Sequence, residues 1–157
     1  ASGSVRDVIE VPPYADHGLM ASSMILSSRI DSMETGGLEA GGPFVVGPFR
    51  VIPRTSKTYT DAEELIVFYQ VHGARPGLDG DLHLDLSYQF YLRDGDAWLP
   101  VGPSMPVVDQ PAAEQAWSVP LHGWPAGSYR LETMITDRTT AAATLRSVLF
   151  EISGARP

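Results

Sequence analysis

The sequence predicts an all-β protein, an antiparallel β-sandwich of about seven to nine strands. Three observations support this fold class. Apolar residues recur with a period of two in many short segments, which is the period of a strand with one buried face. Glycine, proline and aspartate separate nearly all of these segments, as tight turns require. The chain has 157 residues, of which 43% are hydrophobic, and this suits a single domain, residues 1–157, with a real core.

Residues 1–43 are predicted to form an N-terminal extension with an added strand and a Gly-rich loop. Residues 5–11 alternate weakly and stop at two prolines, which predicts a short strand or an extended lead-in. The segment GLMASSMILSSRI (18–30) has the apolar spacing of a helix, but its four serines and the alternation of its apolar residues favour a strand. Residues 31–43 contain two Gly-Gly pairs and are predicted to form a loop.

A regular strand pattern begins at residue 44, so residues 44–157 are predicted to form the core sandwich. The strand candidates are residues 44–52, 64–72, 81–93, 97–101, 116–121, 128–137 and 144–152. Residues 64–72 (ELIVFYQVH) are apolar on both parities, which suits a central strand. Residues 109–117 (DQPAAEQAW) alone resemble a helix, of one or two turns at most.

The segment DGDLHLDLSYQFYLRDGD (79–96) raises the question of a metal site, because it combines several carboxylates with His83. On a strand that rises about 3.3 Å per residue, Asp79 and Asp85 lie roughly 20 Å apart, whereas the oxygen ligands of calcium lie within about 2.6 Å of the ion. We therefore expect a solvated strand face and no metal ligands. A weak ion site between Asp79 and Asp81, at the edge of the loop, is left open.

The Asp94-Gly95 dipeptide predicts a hairpin over residues 88–101, because these two residues tolerate the positive φ angles of a type I′ turn. With a two-residue loop, the pairs expected across the strands are Arg93–Asp96, Leu92–Ala97, Tyr91–Trp98 and Phe90–Leu99. The charged pair and the aromatic pair would then lie on the outer face of the sheet.

Composition excludes several classes of function. The chain carries 19 acidic and 11 basic residues, a net charge of −8, and no basic run, which argues against binding to nucleic acid or to an anionic membrane surface. No apolar run approaches the roughly 20 residues of a membrane-spanning helix. The absence of cysteine excludes disulfides, thiol catalysis, zinc-thiolate sites and iron–sulfur clusters, and no cofactor is implied. Arginine outnumbers lysine by ten to one, a bias typical of GC-rich bacterial genomes.

The sequence contains none of the short motifs that mark common catalytic sites. The run Gly127-Ser128-Tyr129 does not match the nucleophile elbow of serine hydrolases. The histidines are scattered and are never three or four residues apart, as metalloprotease ligands would be. They are His17, His72, His83 and His122. We therefore expect that the chain is not an enzyme.

The best candidate site is a binding surface on the predicted hairpin. Tyr91 and Trp98 would form an aromatic platform on the solvent face, with Gln89 and Asp85 beside them. Such a platform suits a sugar or a protein partner. In the alternative interpretation, residues 1–30 cover this face and the two aromatic side chains are packing residues.

The segment LHGWPAGSYRLETMITDRTTAAATLRSVLFEI (121–152) contains a Pro-x-Gly-x-Tyr-x-Leu run that opens a strand. It resembles the last two strands of immunoglobulin-like and fibronectin type III-like sandwiches. The resemblance implies an immunoglobulin-like β-sandwich and a structural role for Tyr129 as the tyrosine corner. Trp124, in the loop before Tyr129, is expected to close the end of the sandwich and not to contact a ligand. The chain departs from antibody-type domains in lacking the cysteine pair.

The segments PFVVGPFRVIPRTSKTYTDAEELIVFYQVHG (43–73) and DLSYQFYLRDGD (85–96) are similar to the C-terminal β-domains of bacterial secreted proteins with GWxTD or von Willebrand A-type domains, although the GWxTD sequence itself is absent. The resemblance implies a periplasmic or extracellular, non-catalytic domain of a larger exported protein. Its role would be structural or protein-binding, with other domains or proteins of the cell envelope as partners. A carbohydrate-binding module that uses an exposed aromatic face is the alternative, and the oligomeric state is left open.

Overall fold

In the computed structural model, residues 18–33 and 44–154 are described, and they form strands and no helix. The strands are β1 (Met20–Ala21), β2 (Ile25–Ser27), β3 (Ile30–Ser32), β4 (Val45–Val46), β5 (Phe49–Val51), β6 (Thr58–Thr60), β7 (Glu64–His72), β8 (Leu84–Asp94), β9 (Ala97–Gln110), β10 (Glu114–Pro120), β11 (Gly127–Asp137) and β12 (Ala143–Ser153). The predicted all-β class is confirmed. The prediction for residues 5–11 lies outside the described residues, as does that for residues 34–43. The predicted loop is wrong at residues 31–32, which belong to β3 because they pair with β5.

Two larger sheets form a sandwich, and a third, small sheet lies against one of them. The first sheet has the strand order β6-β12-β11-β8-β9, and all its neighbours are antiparallel except β6 and β12, which run parallel. In the second sheet, β7 pairs with β10 on one side and with β1 and β2 on the other. The third sheet has the order β3-β5-β4. The sandwich prediction is thereby confirmed, with short added strands from residues 20–32.

The described ranges contain more strands than the sequence predicted, because some expected strands are broken into pieces. Residues 44–52 were expected to form one strand, but they form β4 and β5, which pair with each other as a hairpin. Gly47 has a φ of +55° between them and Pro48 follows it, so the chain turns where a strand would have continued.

The central strand β7 has the bounds predicted from the sequence, and the structure explains its unbroken apolar pattern. Leu65, Val67 and Tyr69 face the main core between the two larger sheets. Ile66 and Phe68 face the small sheet, where they pack with Val51 and with the partly buried apolar residues Ile25, Phe44 and Val46. Both faces of β7 are therefore covered by protein.

Aromatic side chains dominate the main core. Phe90 lies at its centre, with ring centroids 4.8 Å from Trp124 and 5.7 Å from Trp117. The Tyr69 and Tyr88 hydroxyls form a hydrogen bond of 2.8 Å that joins β7 to β8, and this bond satisfies both polar groups inside the core.

The hairpin between β8 and β9 forms in a different register from the predicted one. Trp98 lies opposite Arg93, and Tyr91 lies opposite Pro100. The prediction placed Asp94 in a type I′ turn, which needs positive φ at both loop residues. In the structure the loop is Gly95-Asp96, and only Gly95 has a positive φ, of +57°. A type II′ turn needs just this one glycine, so it avoids strain at an aspartate. The shift is two residues, so each side chain keeps its predicted face.

The predicted helical turn at residues 109–117 is wrong. Strand β9 continues to Gln110, and β10 begins at Glu114, which lies opposite Gln70 of β7. Pairing with long neighbouring strands fixes this backbone, and an isolated one- or two-turn helix has no stability to oppose it.

Tyr129 lies on β11 with its side chain fully buried. Its hydroxyl donates a hydrogen bond of 2.7 Å to the carbonyl oxygen of Pro125, four residues upstream, which is the geometry of a tyrosine corner. The Trp124 ring packs beside it, with its centroid 5.4 Å from that of Tyr129. Together these residues close one end of the main core.

No helix in the described ranges is long and apolar enough to cross a membrane.

Candidate functional site

The outer face of the five-stranded sheet carries an arginine stacked on two aromatic rings. Arg130 on β11 lies opposite Tyr91 on β8, because these residues are paired in the antiparallel register. The Arg130 Cζ atom is 4.8 Å from the Tyr91 ring centroid and 4.9 Å from that of Trp98. Both distances are within the range of cation–π attraction. We call this arrangement the Tyr91–Arg130–Trp98 stack.

The stack also has an acidic neighbour. Arg130 Nε lies 3.1 Å from Glu132 Oε1, so the two side chains form an ion pair. The N–H is not aligned with that oxygen, and the buried Nε has no hydrogen-bond acceptor in the part of the chain that the structure describes. The two rings, together with the nearby carboxylate charge, therefore fix the position of the guanidinium.

Exposed apolar side chains lie on the same face as the stack, one beside it and two further along the strands. Met134 lies opposite Leu145, and Leu149 lies opposite Arg130. Their exposed fractions are 42% for Met134, 48% for Leu145 and 53% for Leu149. A solvated strand face would carry polar residues at such positions. We call the stack and these three residues the outer-face patch.

The four residues predicted as a binding site lie in three places. Tyr91 and Trp98 share a face and meet through Arg130. The Gln89 side-chain amide donates to the carbonyl oxygens of Phe90, at 2.9 Å, and Gly102, at 3.3 Å. Asp85 accepts the backbone N–H of Asp109 near the other end of β8. The structure thus brings Tyr91 and Trp98 together around Arg130, whereas the Gln89 and Asp85 side chains form hydrogen bonds with backbone groups.

The alternative interpretation had residues 1–30 covering the outer face. Within the described ranges, β1 and β2 pair with β7 in the opposite sheet, so residues 20–27 do not cover Tyr91 and Trp98. Residues 1–17 lie outside the described residues.

A cleft of about 290 Å³ adjoins the outer-face patch at Trp98. Its wall is formed by Trp98 and Leu149, with polar side chains around them. The polar groups include Lys57, Thr58, Arg93, Ser128 and Glu151. The cleft therefore offers aromatic and apolar surface together with hydrogen-bonding groups of both charges.

A second polar cluster lies at the other end of β8, around His83. Its Nδ1 is 2.6 Å from Asp109 Oδ1, and its Nε2 is 2.9 Å from Asp79 Oδ2. Arg138 Nη1 adds a positive charge 3.5 Å from the same Asp109 oxygen. A Cβ atom at Gly77 would lie 2.9 Å from both the His83 ring and Asp79 Oδ1, so a larger residue there would displace these side chains. The imidazole thus joins the loop before β8 to the end of β9.

The two carboxylates alter the protonation of His83. Its hydrogen bond to Asp109, followed by that to Asp79, raises the pKa of His83 above the usual 6.5. Because the folded-state pKa is higher than the unfolded-state pKa, the stabilisation is fully present below pH 6.5. It is lost as the pH rises through the folded-state pKa.

We expect the His83 ring to titrate in a proton NMR experiment with a midpoint above 6.5. The midpoint should be lower in Asp109→Asn, because an amide does not attract the imidazolium as a carboxylate does. Asp31→Asn, which removes a carboxylate that pairs with Arg29, is the control and should leave the His83 midpoint unchanged. An unchanged His83 midpoint in Asp109→Asn would contradict the pairing with Asp109.

The acidic residues at the start of the segment 79–96 do not converge on one point. Asp79 Oδ1 accepts the backbone N–H of Asp81, and the same carboxylate contacts His83. In the described ranges, no three His, Asp or Glu side chains are arranged to hold a metal ion. The carboxylates of Asp79 and Asp109 instead form ion pairs with His83.

Sequence reasoning missed Arg130, which is the centre of the stack. The signal was present in SYRLETMITD (128–137), because the inward Tyr129 and Leu131 place Arg130 on the outer face. Its position opposite Tyr91 depends on which strands are neighbours in the sheet. Alternation within a single strand does not contain that information.

No protein-family model and no curated protein matches this chain. Solved structures with some likeness include the superoxide reductase (neelaredoxin) from Ignicoccus hospitalis, with a TM-score of 0.37 and 11% identity over 64% of this chain and 76% of that one. The soluble domain of PmoD from Methylocystis sp. ATCC 49242 has a TM-score of 0.36 and 17% identity over 62% of this chain and 78% of that one. A β-glucosidase from Listeria innocua has a TM-score of 0.30 and 17% identity, over 63% of this chain and 15% of the enzyme. At such scores these likenesses assign neither a family nor an activity.

Proposed function

We propose that this chain is a non-catalytic, protein-binding β-sandwich domain of a larger exported bacterial protein. The observation that carries the proposal is the outer-face patch. Tryptophan, tyrosine and arginine are the side chains most often found at the energetic centres of protein interfaces, and methionine is also enriched there. Here Tyr91, Trp98 and Arg130 are in contact, exposed Leu149 is paired with Arg130, and exposed Met134 lies further along the same face. The stack already orders these long side chains, which lowers the entropy lost on binding.

The proposal that the domain is non-catalytic is supported by the hydrogen bonds and ion pairs that its polar side chains form within the protein. Both ring nitrogens of His83 contact carboxylates, so neither is directed at a substrate. The buried Asp137 carboxylate accepts hydrogen bonds from the backbone N–H groups of Arg75 and Thr139. These polar groups are engaged in contacts within the fold, whereas a catalytic acid or base must be free to exchange a proton with a substrate.

The exported, bacterial origin rests on the resemblance to C-terminal β-domains of GWxTD- or von Willebrand A-associated proteins and on the excess of arginine over lysine. The Tyr129 hydrogen bond supports the finer immunoglobulin-like or fibronectin type III-like description. In that setting the partners are other domains or proteins of the periplasm or cell surface.

A carbohydrate ligand is the second candidate, and the cleft beside Trp98 is the observation that favours it. Sugar rings bind on open aromatic faces with hydrogen-bonding groups around them. Arg130 already lies over the Tyr91 and Trp98 rings, so the broad aromatic platform expected from the sequence is occupied. A sugar would be restricted to the cleft.

Photo-crosslinking tests the proposal. Benzoylphenylalanine replaces Leu145 within the patch or, as the matched control, the exposed Leu78 in the loop between β7 and β8. In an extract of the source organism we expect a discrete protein adduct from position 145 and none from position 78. Arg130→Ala should reduce the adduct about tenfold, because it dissolves the stack.

Two results would contradict the proposal. Equal adducts from both positions would show that the patch has no specific partner. Saturable quenching of Trp98 fluorescence by soluble oligosaccharides, without a protein adduct, would favour the carbohydrate-binding alternative.

A further inference from the structure

Strand β12 is paired along only part of one edge. On one side, β11 pairs with it in unbroken register from Ala143 to Ile152. On the other side, β6 pairs with residues 151–153 alone. Among the described residues, no strand pairs with residues 143–149 on that side. Within the described ranges, the sheet therefore has an open edge at this position.

The direction of the free backbone groups follows from one hydrogen bond. The N–H of Glu151 donates to the carbonyl oxygen of Lys57, toward this edge, at 2.9 Å. In a regular strand, alternate residues direct both N–H and C=O to the same side. The backbone groups of Leu145, Ser147 and Leu149 therefore point to the open edge. These groups recur at every second residue, so they could form hydrogen bonds with alternate residues of another extended chain.

The opposite edge of the same sheet is protected, and this edge is not. Strand β9 carries Pro100, Pro103 and Pro106, which remove N–H donors and discourage pairing with another chain. Residues 143–149 contain no proline. The two edges thus differ in their capacity to accept a further strand.

A groove of about 510 Å³ runs beside the open edge, between β12 and the segment that contains β1. Met20, Met24 and Val148 supply its apolar wall. Methionine adapts its shape to different side chains, as surfaces that bind peptides require. Alternate side chains of an added strand would point into this groove, while the others would lie beside the outer-face patch.

The charge of the groove indicates the chemistry of the occupant. Lys57 and Arg146 both line it. Arg146 donates from Nε to the carbonyl oxygen of Ala21, and in the described ranges neither cation has a carboxylate within salt-bridge distance. Two cations that have no acidic partner among the described residues contrast with the net charge of −8. An acidic partner would be attracted, whereas a second copy paired across this edge about a two-fold axis would place like charges together.

We propose that an extended acidic peptide adds as a strand to the open edge of β12, with its carboxylates at Lys57 and Arg146 and an apolar side chain between them. This inference rests on the proposed protein-binding function and names its partner class. Recognition combines backbone hydrogen bonds, which give affinity, with the groove, which selects alternate side chains.

The test uses ¹⁵N-labelled protein and the synthetic peptide Thr-Glu-Thr-Val-Thr-Glu-Thr. We expect saturable changes in the amide signals of Leu145, Ser147 and Leu149. The matched peptide with lysine in place of glutamate should bind at least tenfold more weakly. Ser147→Pro should weaken binding about tenfold or more, because it removes an edge N–H and leaves the bonds to β11 in place.

Further variants separate charge from folding. Lys57→Gln should weaken peptide binding about three- to tenfold, whereas Arg138→Gln, which removes a cation at a different site, should not change it. The thermal midpoints of the Ser147→Pro and Lys57→Gln proteins should stay near that of the wild type, which shows that the fold is retained.

Three results would overturn the inference. They are the absence of any signal change at millimolar peptide, equal binding by wild type and Ser147→Pro, and slow amide exchange at the edge of the free protein, which would show that the edge is already paired. Signal changes confined to Tyr91, Trp98 and Met134 would overturn it while leaving the proposed function intact. A failed cross-link at position 145 would count against the proposed function, even if the peptide bound to the edge.

Discussion

Replacing Phe90 by alanine is expected to lower the free energy of unfolding by about 3–5 kcal/mol. Phe90 is 1% exposed, and its ring contacts side chains from three other parts of the chain. These are Trp117, Trp124 and Phe150. Rigid aromatic neighbours on three sides limit collapse of the cavity, so the cost should lie toward the upper end of this range. Urea unfolding followed by circular dichroism measures the effect.

Phe49→Ala is the matched control, because it removes the same atoms from a side chain that is 48% exposed. We expect it to lower the free energy of unfolding by less than about 1 kcal/mol. If the two variants were destabilised equally, Phe90 would not be at the centre of the core. A large loss at Phe90 alone would support the packing of the two sheets around the aromatic cluster.

Asp137→Ala is expected to lower the free energy of unfolding by about 2–4 kcal/mol. The carboxylate is fully buried at the end of β11 and accepts three hydrogen bonds. The donors are Arg75 N–H at 3.0 Å, Thr139 N–H at 2.9 Å and Thr140 Oγ1 at 2.8 Å. Alanine leaves these three donors without an acceptor. Because the site is buried, water does not easily take the place of the carboxylate. The measurement is the same urea titration, at pH 7.

Asp31→Ala is the control for this substitution. Asp31 forms an ion pair with Arg29 that is largely exposed, at 2.7 Å, and its removal should change stability by less than about 0.5 kcal/mol. Comparable losses for the two aspartates would contradict the role of Asp137 as a buried acceptor.

The contribution of Asp137 should also depend on pH. Burial raises the pKa of Asp137, but the hydrogen bonds from Arg75, Thr140 and Thr139 outweigh burial, so the pKa lies below the usual 3.8. The stabilisation is therefore present above pH 3.8 and is lost as the pH falls through the folded-state pKa. The stability difference between wild type and Asp137→Ala should shrink in this acidic range. A difference that stayed constant down to pH 2 would contradict the assignment.

The outer-face patch and the open edge of β12 are continuous. Leu145 and Leu149 belong to both, because their side chains lie on the outer face and their backbone groups point to the edge. A strand added at the edge would lie next to Leu145 and Leu149, which are paired with Met134 and Arg130 of β11. One partner with an extended segment and a folded part could therefore use both surfaces.

The candidate site was only partly predictable. Alternation along β8 placed Tyr91 on the outer face, and the hairpin placed Trp98 on the same face. The two were expected to be paired directly, but Arg130 from β11 lies over both rings. An arginine that is distant in sequence reaches them because β8 and β11 are neighbours in the sheet. That neighbour relation depends on the packing of the whole chain.

The sequence by itself determined the all-β class, the bounds of the central strand β7 and the face on which each side chain of β8 lies. These features depend on the local alternation of apolar residues and on turn residues. The tertiary structure alone decided which strands pair, and with them the register of the β8–β9 hairpin, the replacement of a helical turn by β9 and β10, and the stacking of Arg130. It also decided which edge of the sheet stays open. The physical reason is that pairing and burial join residues far apart in sequence, and their free energy exceeds the small local preferences of a turn or a short helix.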